Sequence, residues 1–271
     1  MKHLLSSLFL LILVSVLMPS KAYSIDITGG ATAWFAGFQQ PYTKNVTENP
    51  RYNNTKNALN VLYGPVLSVK FNDDFNLTFV FLYGKCDAHE ISDSNNANID
   101  YSFKRTDVDL ALNYRLNDYF KIFAGVKRIG FSMDDNKNVI IADGVVFEVY
   151  RNAVGPGLGL SAVYPILENI FFVGNLSGFY LWGQEKKGYY DASTNRTNVK
   201  TNCNDYGMNV TLSLAYYIAP ISTTISLGAR GQFVKTNYDS AYNVHRYGQG
   251  DGYDTSSFYG ITLTATYSFS I

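Results

Sequence analysis

Two acids stand two residues apart in "TDVDL", Asp107 and Asp109. On an extended segment that spacing puts both carboxylates on one face, where they could position a water for attack on a substrate. Such a pair needs a histidine, and no Asp-x-His motif accompanies it. Apart from His3, the histidines are His89 and His245, in the polar stretches "DAHEIS" and "YNVHRYG". His89-Glu90 with Ser92 is the one local serine-hydrolase arrangement, and it does not sit on a strand-like segment. "GPGLGLS", Gly155 to Ser161, lacks the lysine of a phosphate loop. Its glycines at 155, 157 and 159 fall on one face of a strand, where they make room for a large neighbour. Cys86 and Cys203 lie in polar, Asn-rich segments, and neither a catalytic thiol nor a metal site is completed by further Cys or His nearby. The expectation is no catalytic residue, no metal and no cofactor, with Asp107 and Asp109 packed against basic partners.

The elements that carry these residues begin after an export signal. Met1-Lys2-His3 is a short basic region, Leu4 to Met18 is apolar, and "KAYS" offers Ala22 and Ser24 as the small residues of a cleavage site. This pattern predicts a secretory signal peptide over residues 1–24, with one domain over 25–271. In an exported chain disulfides persist, so Cys86 and Cys203 are expected to be bridged. Removing Lys2 and Lys21 with the leader leaves 20 basic against 22 acidic residues, net −2. A nucleic-acid partner, which leaves a basic footprint, is not expected. Past the leader, no apolar run is long enough for a helical membrane span. Tyr and Phe, at 22 and 18 residues, favour strands.

Segments of period-2 alternation recur along the whole chain. The last is "ITLTATYSFSI", Ile261 to Ile271, with Ile, Leu, Ala, Tyr, Phe and Ile on one face and only Thr and Ser on the other. Ten such segments are present: 25–38, 59–71, 75–84, 101–116, 120–127, 155–164, 170–183, 206–218, 221–233 and 257–271. Four connections are tight turns of Asn, Asp, Pro or Glu. Five are long and polar, at roughly 39–58, 85–100, 128–150, 184–205 and 234–256. An alternation of short and long connections places all the short ones on one rim and all the long ones on the other.

The two faces differ in kind. One carries Phe75, Leu77, Phe79, Phe81 and Tyr83, then Val108, Leu110, Leu112 and Tyr114, then Met208 to Ile218 at every second residue. The other carries Asn76 and Thr78, Asp107, Asp109, Asn113 and Arg115, Asn209, Thr211 and Ser213. A soluble sandwich would use the same alternation. Its strands, however, average about 5–6 residues, whereas a transmembrane strand needs about 9–11, the length seen here. Tyr63, Tyr83, Tyr114, Tyr164, Trp182, Tyr216, Phe258 and Tyr259 near segment ends suit the aromatic girdles of a membrane barrel.

On these features the chain resembles the outer-membrane β-barrel proteins of Gram-negative bacteria, a porin-like superfamily. The resemblance implies an all-β fold, a closed antiparallel transmembrane β-barrel of about ten strands, with short periplasmic turns and long extracellular loops. It implies the bacterial outer membrane as location, with outer-membrane lipid, lipopolysaccharide and the barrel-assembly machinery as partners. In that family the last strand is the assembly signal, which falls here on Tyr267, Phe269 and Ile271, an isoleucine where the family usually ends in phenylalanine. Small solutes or surface ligands at the loops are the remaining expected partners. The function implied is a narrow porin-like channel or a surface-exposed binding or structural protein. The alternative is a barrel-embedded hydrolase, like the ten-stranded omptin proteases, working through Asp107 and Asp109.

Within such a barrel, Arg105, Asp107, Asp109, Lys127 and Arg230 are expected in the outer half of the lumen, and Arg115, Lys121 and Lys70 near the periplasmic rim. They would form either a charge-laced plug or a narrow, anion-leaning channel. The turn at Asn117-Asp118-Tyr119 sets a register in which Arg115 faces Lys121 and Asp109 faces Lys127. A one-residue slip would turn Asp107, Asp109 and Arg115 into lipid, at a few kcal/mol for an arginine at the midplane.

Overall fold

The computed structural model describes residues 25–39, 56–57, 59–92, 97–133, 140–141, 144–190, 196–238 and 253–270. Ten long strands follow one another in antiparallel order: β1 (Asp26–Gln39), β2 (Asn60–Lys70), β3 (Phe75–Ser92), β4 (Ala97–Arg115), β5 (Phe120–Met133), β6 (Gly144–Leu167), β7 (Ile170–Tyr190), β8 (Arg196–Ile218), β9 (Thr223–Tyr238) and β10 (Tyr253–Ser270). Each pairs with its sequence neighbours, and β1 pairs with β10, Asp26 opposite Ser270 through Gln39 opposite Ser257. The sheet is a closed antiparallel transmembrane β-barrel. Closure removes the sheet edges, whose unpaired backbone groups would each cost several kcal/mol in lipid. On the lumen side of this seam Thr28 meets Ser268 at 2.9 Å and Thr32 meets Thr264 at 2.7 Å. These are the hydroxyls of the last segment's polar face, and such cross-strand pairs contribute about 0.2–1 kcal/mol each.

The tight turns and both strand ends at the β1–β10 seam share one rim. Two of the turns repeat the same chemistry. Asn72 Oδ1 accepts from the amides of Asp74 and Phe75, and Asn117 Oδ1 accepts from those of Tyr119 and Phe120, all at 2.8–2.9 Å. The side-chain oxygen thereby replaces a backbone acceptor and fixes the two strands it joins. The β4–β5 ladder has Arg115 opposite Lys121 and Asp109 opposite Lys127, the register that the turn dictates.

At the other rim the expectation of five long loops is corrected. β3 runs on to Ser92 and β4 begins at Ala97, β5 and β6 reach Met133 and Gly144, and β7 and β8 reach Tyr190 and Arg196. Segments such as "KCD" (85–87) still alternate, Lys85 and Asp87 exposed and Cys86 buried. The outward residues there are polar because the strands have risen past the apolar band. β9 likewise runs to Tyr238 and β10 begins at Tyr253, inside the stretch expected as the last loop. Residues 1–24, 40–55, 239–252 and Ile271 lie outside the described residues, and with them the signal peptide and the last position of the assembly signal.

The outer face is an apolar band. Leu67, Leu110, Val126, Leu158, Leu176, Leu212, Leu227 and Leu263 are all exposed, as are Tyr63, Tyr83, Tyr114, Tyr164, Trp182, Tyr216 and Tyr259 towards the strand ends. Tyr267 and Phe269 of β10 point outward as well. Phe258 does not belong to this girdle. It is only 2% exposed and turned into the lumen, because β10 pairs Phe258 with Phe38 and Gln232, both inward positions.

Candidate functional site

The lumen residues follow from parity along each strand, and they divide the interior into two halves. In the loop-side half the filling is apolar. Trp34, Ala36 and Phe38 of β1 pack with Leu62, Leu82, Phe103, Met133, Val149 and Phe258. Phe38 lies edge-on to Phe103 and stacks with Phe258. A second group joins Ala153, Phe179, Leu181 and Val234. Leu, Phe and Trp at inward positions remove the water that a pore would hold, as in a protein core.

Ion pairs are set into this filling. Arg105 and Asp107 are two residues apart on β4 and form a bidentate pair, Nε to Oδ1 at 2.8 Å and Nη2 to Oδ2 at 3.0 Å. Asp107 is 1% exposed. The same guanidinium donates to Gln232 Oε1 of β9, on the opposite wall of the barrel. It also lies 3.6 Å from the ring centre of Phe258. The Arg105 fork therefore bridges the lumen from wall to wall. Lys127 donates to both oxygens of Asp109, at 2.8 and 2.9 Å. Arg230 of β9 lies 4.4 Å from the Trp34 ring. The two acids that suggested hydrolysis are thus each held by a cation. Arg115 and Lys121 sit apart from this cluster at the turn rim. There Arg115 reaches Asp118 at 3.7 Å and Lys70 reaches Asp73 at 2.8 Å, so the rim's positive charge is partly compensated.

Three features escaped the sequence. Arg151 of β6 donates to Asp205 of β8 and, at 2.6 Å, to Thr236 Oγ1 of β9. Tyr238 donates to Glu185 at 3.0 Å. Both groups fall within or beside stretches whose polar, Asn-rich composition reads as loop and hides their inward parity. Trp34 and Phe38 escaped because an apolar residue in a barrel strand is expected on the lipid side.

The disulfide expectation is overturned: Cys86 and Cys203 are both free and buried. They stand on β3 and β8, five strands apart around a ten-stranded ring, so the full lumen separates them. Each fills an inward position, Cys86 within the apolar group of Leu62, Leu82 and Phe103. The glycines of "GPGLGLS" do face inward. A Cβ on Gly159 would lie 2.5 Å from Cζ of Phe123, and one on Gly207 would meet the Phe179 ring at the same distance. Each absent side chain lets a lumen ring lie flat on its neighbouring strand.

Below the filled half, towards the turns, lies a cavity of about 370 Å³. Asn76, Asn113, Asn175, Asn209, Thr78 and Thr211 wall it, with Lys121 near its turn-side end and Lys127, Asp109 and Arg230 at its inner end.

No protein-family model matches the sequence, and no curated protein matches it. Among solved structures the chain is similar to the outer membrane protease OmpT from Escherichia coli, with a TM-score of 0.54 and 12% identity over 93% of this chain and 100% of that one. It is more distantly similar to a major outer membrane protein from Thermus thermophilus, with a TM-score of 0.43 and 14% identity over 91% and 100% of the two chains. The closed meander of ten strands, its apolar outer band and its two unequal rims make the fold of this chain that of an outer-membrane β-barrel protein.

Proposed function

We propose that this protein is a non-catalytic, non-conducting barrel of the bacterial outer membrane, exported by its signal peptide and exposing its long-strand rim at the cell surface. The observation that carries this reading is the filled loop-side half. The Arg105–Asp107–Gln232 bridge crosses the lumen among Trp34, Phe38, Phe103 and Phe258. Conductance of the refolded protein in a planar bilayer tests it. The expected trace is silent, and discrete, reproducible steps would overturn the proposal.

The likeness to a protease carries its fold and leaves its chemistry open. Hydrolysis by Asp107 and Asp109 would need a water shared between two free carboxylates. Here one is enclosed by Arg105 and the other is occupied by Lys127. Peptide cleavage that the purified protein performs and Asp107→Asn abolishes would restore the hydrolase reading.

Lipopolysaccharide fits the outward surface just above the apolar band. Lys186 stands directly across from Lys200, with Arg128 on the same surface. Like charges directly opposed on a sheet destabilise it. A lipid phosphate between them would turn that cost into charge-assisted hydrogen bonds.

A further inference from the structure

We infer that the turn-side cavity is a binding site for a small polyhydroxylated anion, a sugar acid or sugar phosphate, entering from the periplasm. Its electrostatics are one-sided: three cations, Lys121, Lys127 and Arg230, face one carboxylate, Asp109. Asp109 already accepts both of its close hydrogen bonds from Lys127. Arg230 forms no ion pair and no hydrogen bond among the described residues; its guanidinium rests against the face of Trp34, within the longer-range field of Asp107 and Asp109. A guanidinium is a planar fork built for two-point binding of carboxylate or phosphate. A cation–π contact leaves that fork unfilled. An enclosed arginine in this state favours an anion over empty space.

The walls supply the second half of the recognition. Asn76 Oδ1 and Asn209 Oδ1 are buried and have no hydrogen-bond donor among the described residues. Each such atom has lost water without gaining a partner. Sealed from the cavity as they stand, the two oxygens leave the facing positions to the Asn175 amide and the Thr78 and Thr211 hydroxyls, which can accept from ligand hydroxyls. Asn209 reaches Ser177 and Asn113 reaches Thr78 through their amide nitrogens, which fixes these side chains in place. The site therefore offers a cationic inner end and acceptor-bearing walls, the complement of one acid group followed by hydroxyls. Its volume of about 370 Å³ falls at the small end of ligand pockets, which run from about 300 to 1,000 Å³. Entry is from the turn rim, since Asn76 and Lys121 lie one residue inside the strand ends there, while the opposite end meets the filled half.

Trp34 reports on occupancy, because a ligand that draws Arg230 off its ring changes the indole's surroundings. The protein has two tryptophans, so Trp182→Phe leaves Trp34 as the single fluorophore. Refolded Trp182→Phe protein is titrated at fixed ionic strength with glucose 6-phosphate, glucuronate and glucose. A saturable change with the two anions and none with glucose is expected, with the stronger response naming the acid group. Arg230→Gln should weaken binding about tenfold or more, the loss of one charge-assisted bidentate contact. If Arg230→Gln fails to fold, Arg230→Lys keeps the charge without the fork and Lys121→Gln removes charge at the entrance. Each should weaken binding several-fold. No saturable response in the folded protein, an equal response to glucose, or affinity unchanged in the folded variants would overturn the site. A silent bilayer trace is compatible with either result, so this site and the non-conducting reading fail separately.

Discussion

Arg105→Ala tests the lumen bridge most directly. The substitution removes both hydrogen bonds to Asp107, the bond to Gln232 across the barrel and the stacking on Phe258, while Asp107 stays 1% exposed. Removing one partner of a buried pair costs about 3–5 kcal/mol, because the other charge loses its closest compensation. With a urea dependence of about 2 kcal/mol per molar, within the range for small proteins, the unfolding midpoint of protein refolded in lipid vesicles should fall by roughly 1.5–2.5 M. The double variant Arg105→Met/Asp107→Leu separates charge from packing. Its new side chains would extend the existing group of Trp34, Leu82, Phe103 and Phe258, and apolar replacement of a whole buried pair is often neutral or stabilising. Its midpoint should return to within about 0.5 M of the parent, a recovery of at least about 2 kcal/mol relative to Arg105→Ala. A single variant whose midpoint stays within about 0.5 M of the parent would refute the bridge. So would a double variant no more stable than Arg105→Ala.

Leu158 is 70% exposed on the outer face near the middle of β6, so Leu158→Arg should cost about 2–4 kcal/mol in lipid vesicles, against little for Leu158→Phe. Equal stabilities would place that face away from the bilayer. Thiol labelling of Cys86 and Cys203 should proceed only after unfolding, and mass spectrometry of protein from its native membrane should show two free thiols; a bridged peptide pair would contradict the barrel geometry. Lipopolysaccharide should raise the unfolding temperature of the parent protein, and Lys186→Glu/Lys200→Glu should remove most of that rise, whereas an unchanged rise would locate the lipid elsewhere. Phe269→Leu should slow assembly catalysed by the barrel-assembly machinery while costing the folded barrel less than about 1.5 kcal/mol, as apolar swaps of similar size do, and normal assembly kinetics would remove Phe269 from the signal.

The sequence alone determined the outer surface and the local pairing. Lipid on one side and strand geometry on the other force every second residue to choose, so "FNLTFVFLYG" and "TATYSFS" carry their faces openly. The Asn117 turn then set the β4–β5 ladder, and with it the meeting of Asp109 and Lys127, because pairing across a tight turn depends only on nearby residues. Contacts across the lumen depended on tertiary structure. Arg105 and Gln232 are 127 residues apart, and nothing local brings β4 opposite β9; closure of ten strands does. Whether the interior is wet was equally a collective property. Trp34, Phe38 and Phe258 have the composition of lipid-facing residues, and the parity of their strands, fixed by pairing β1 with β10, turns them inward. The cysteines show the same division: their types and compartment suggested a bridge, while their places on β3 and β8 put the width of the barrel between them.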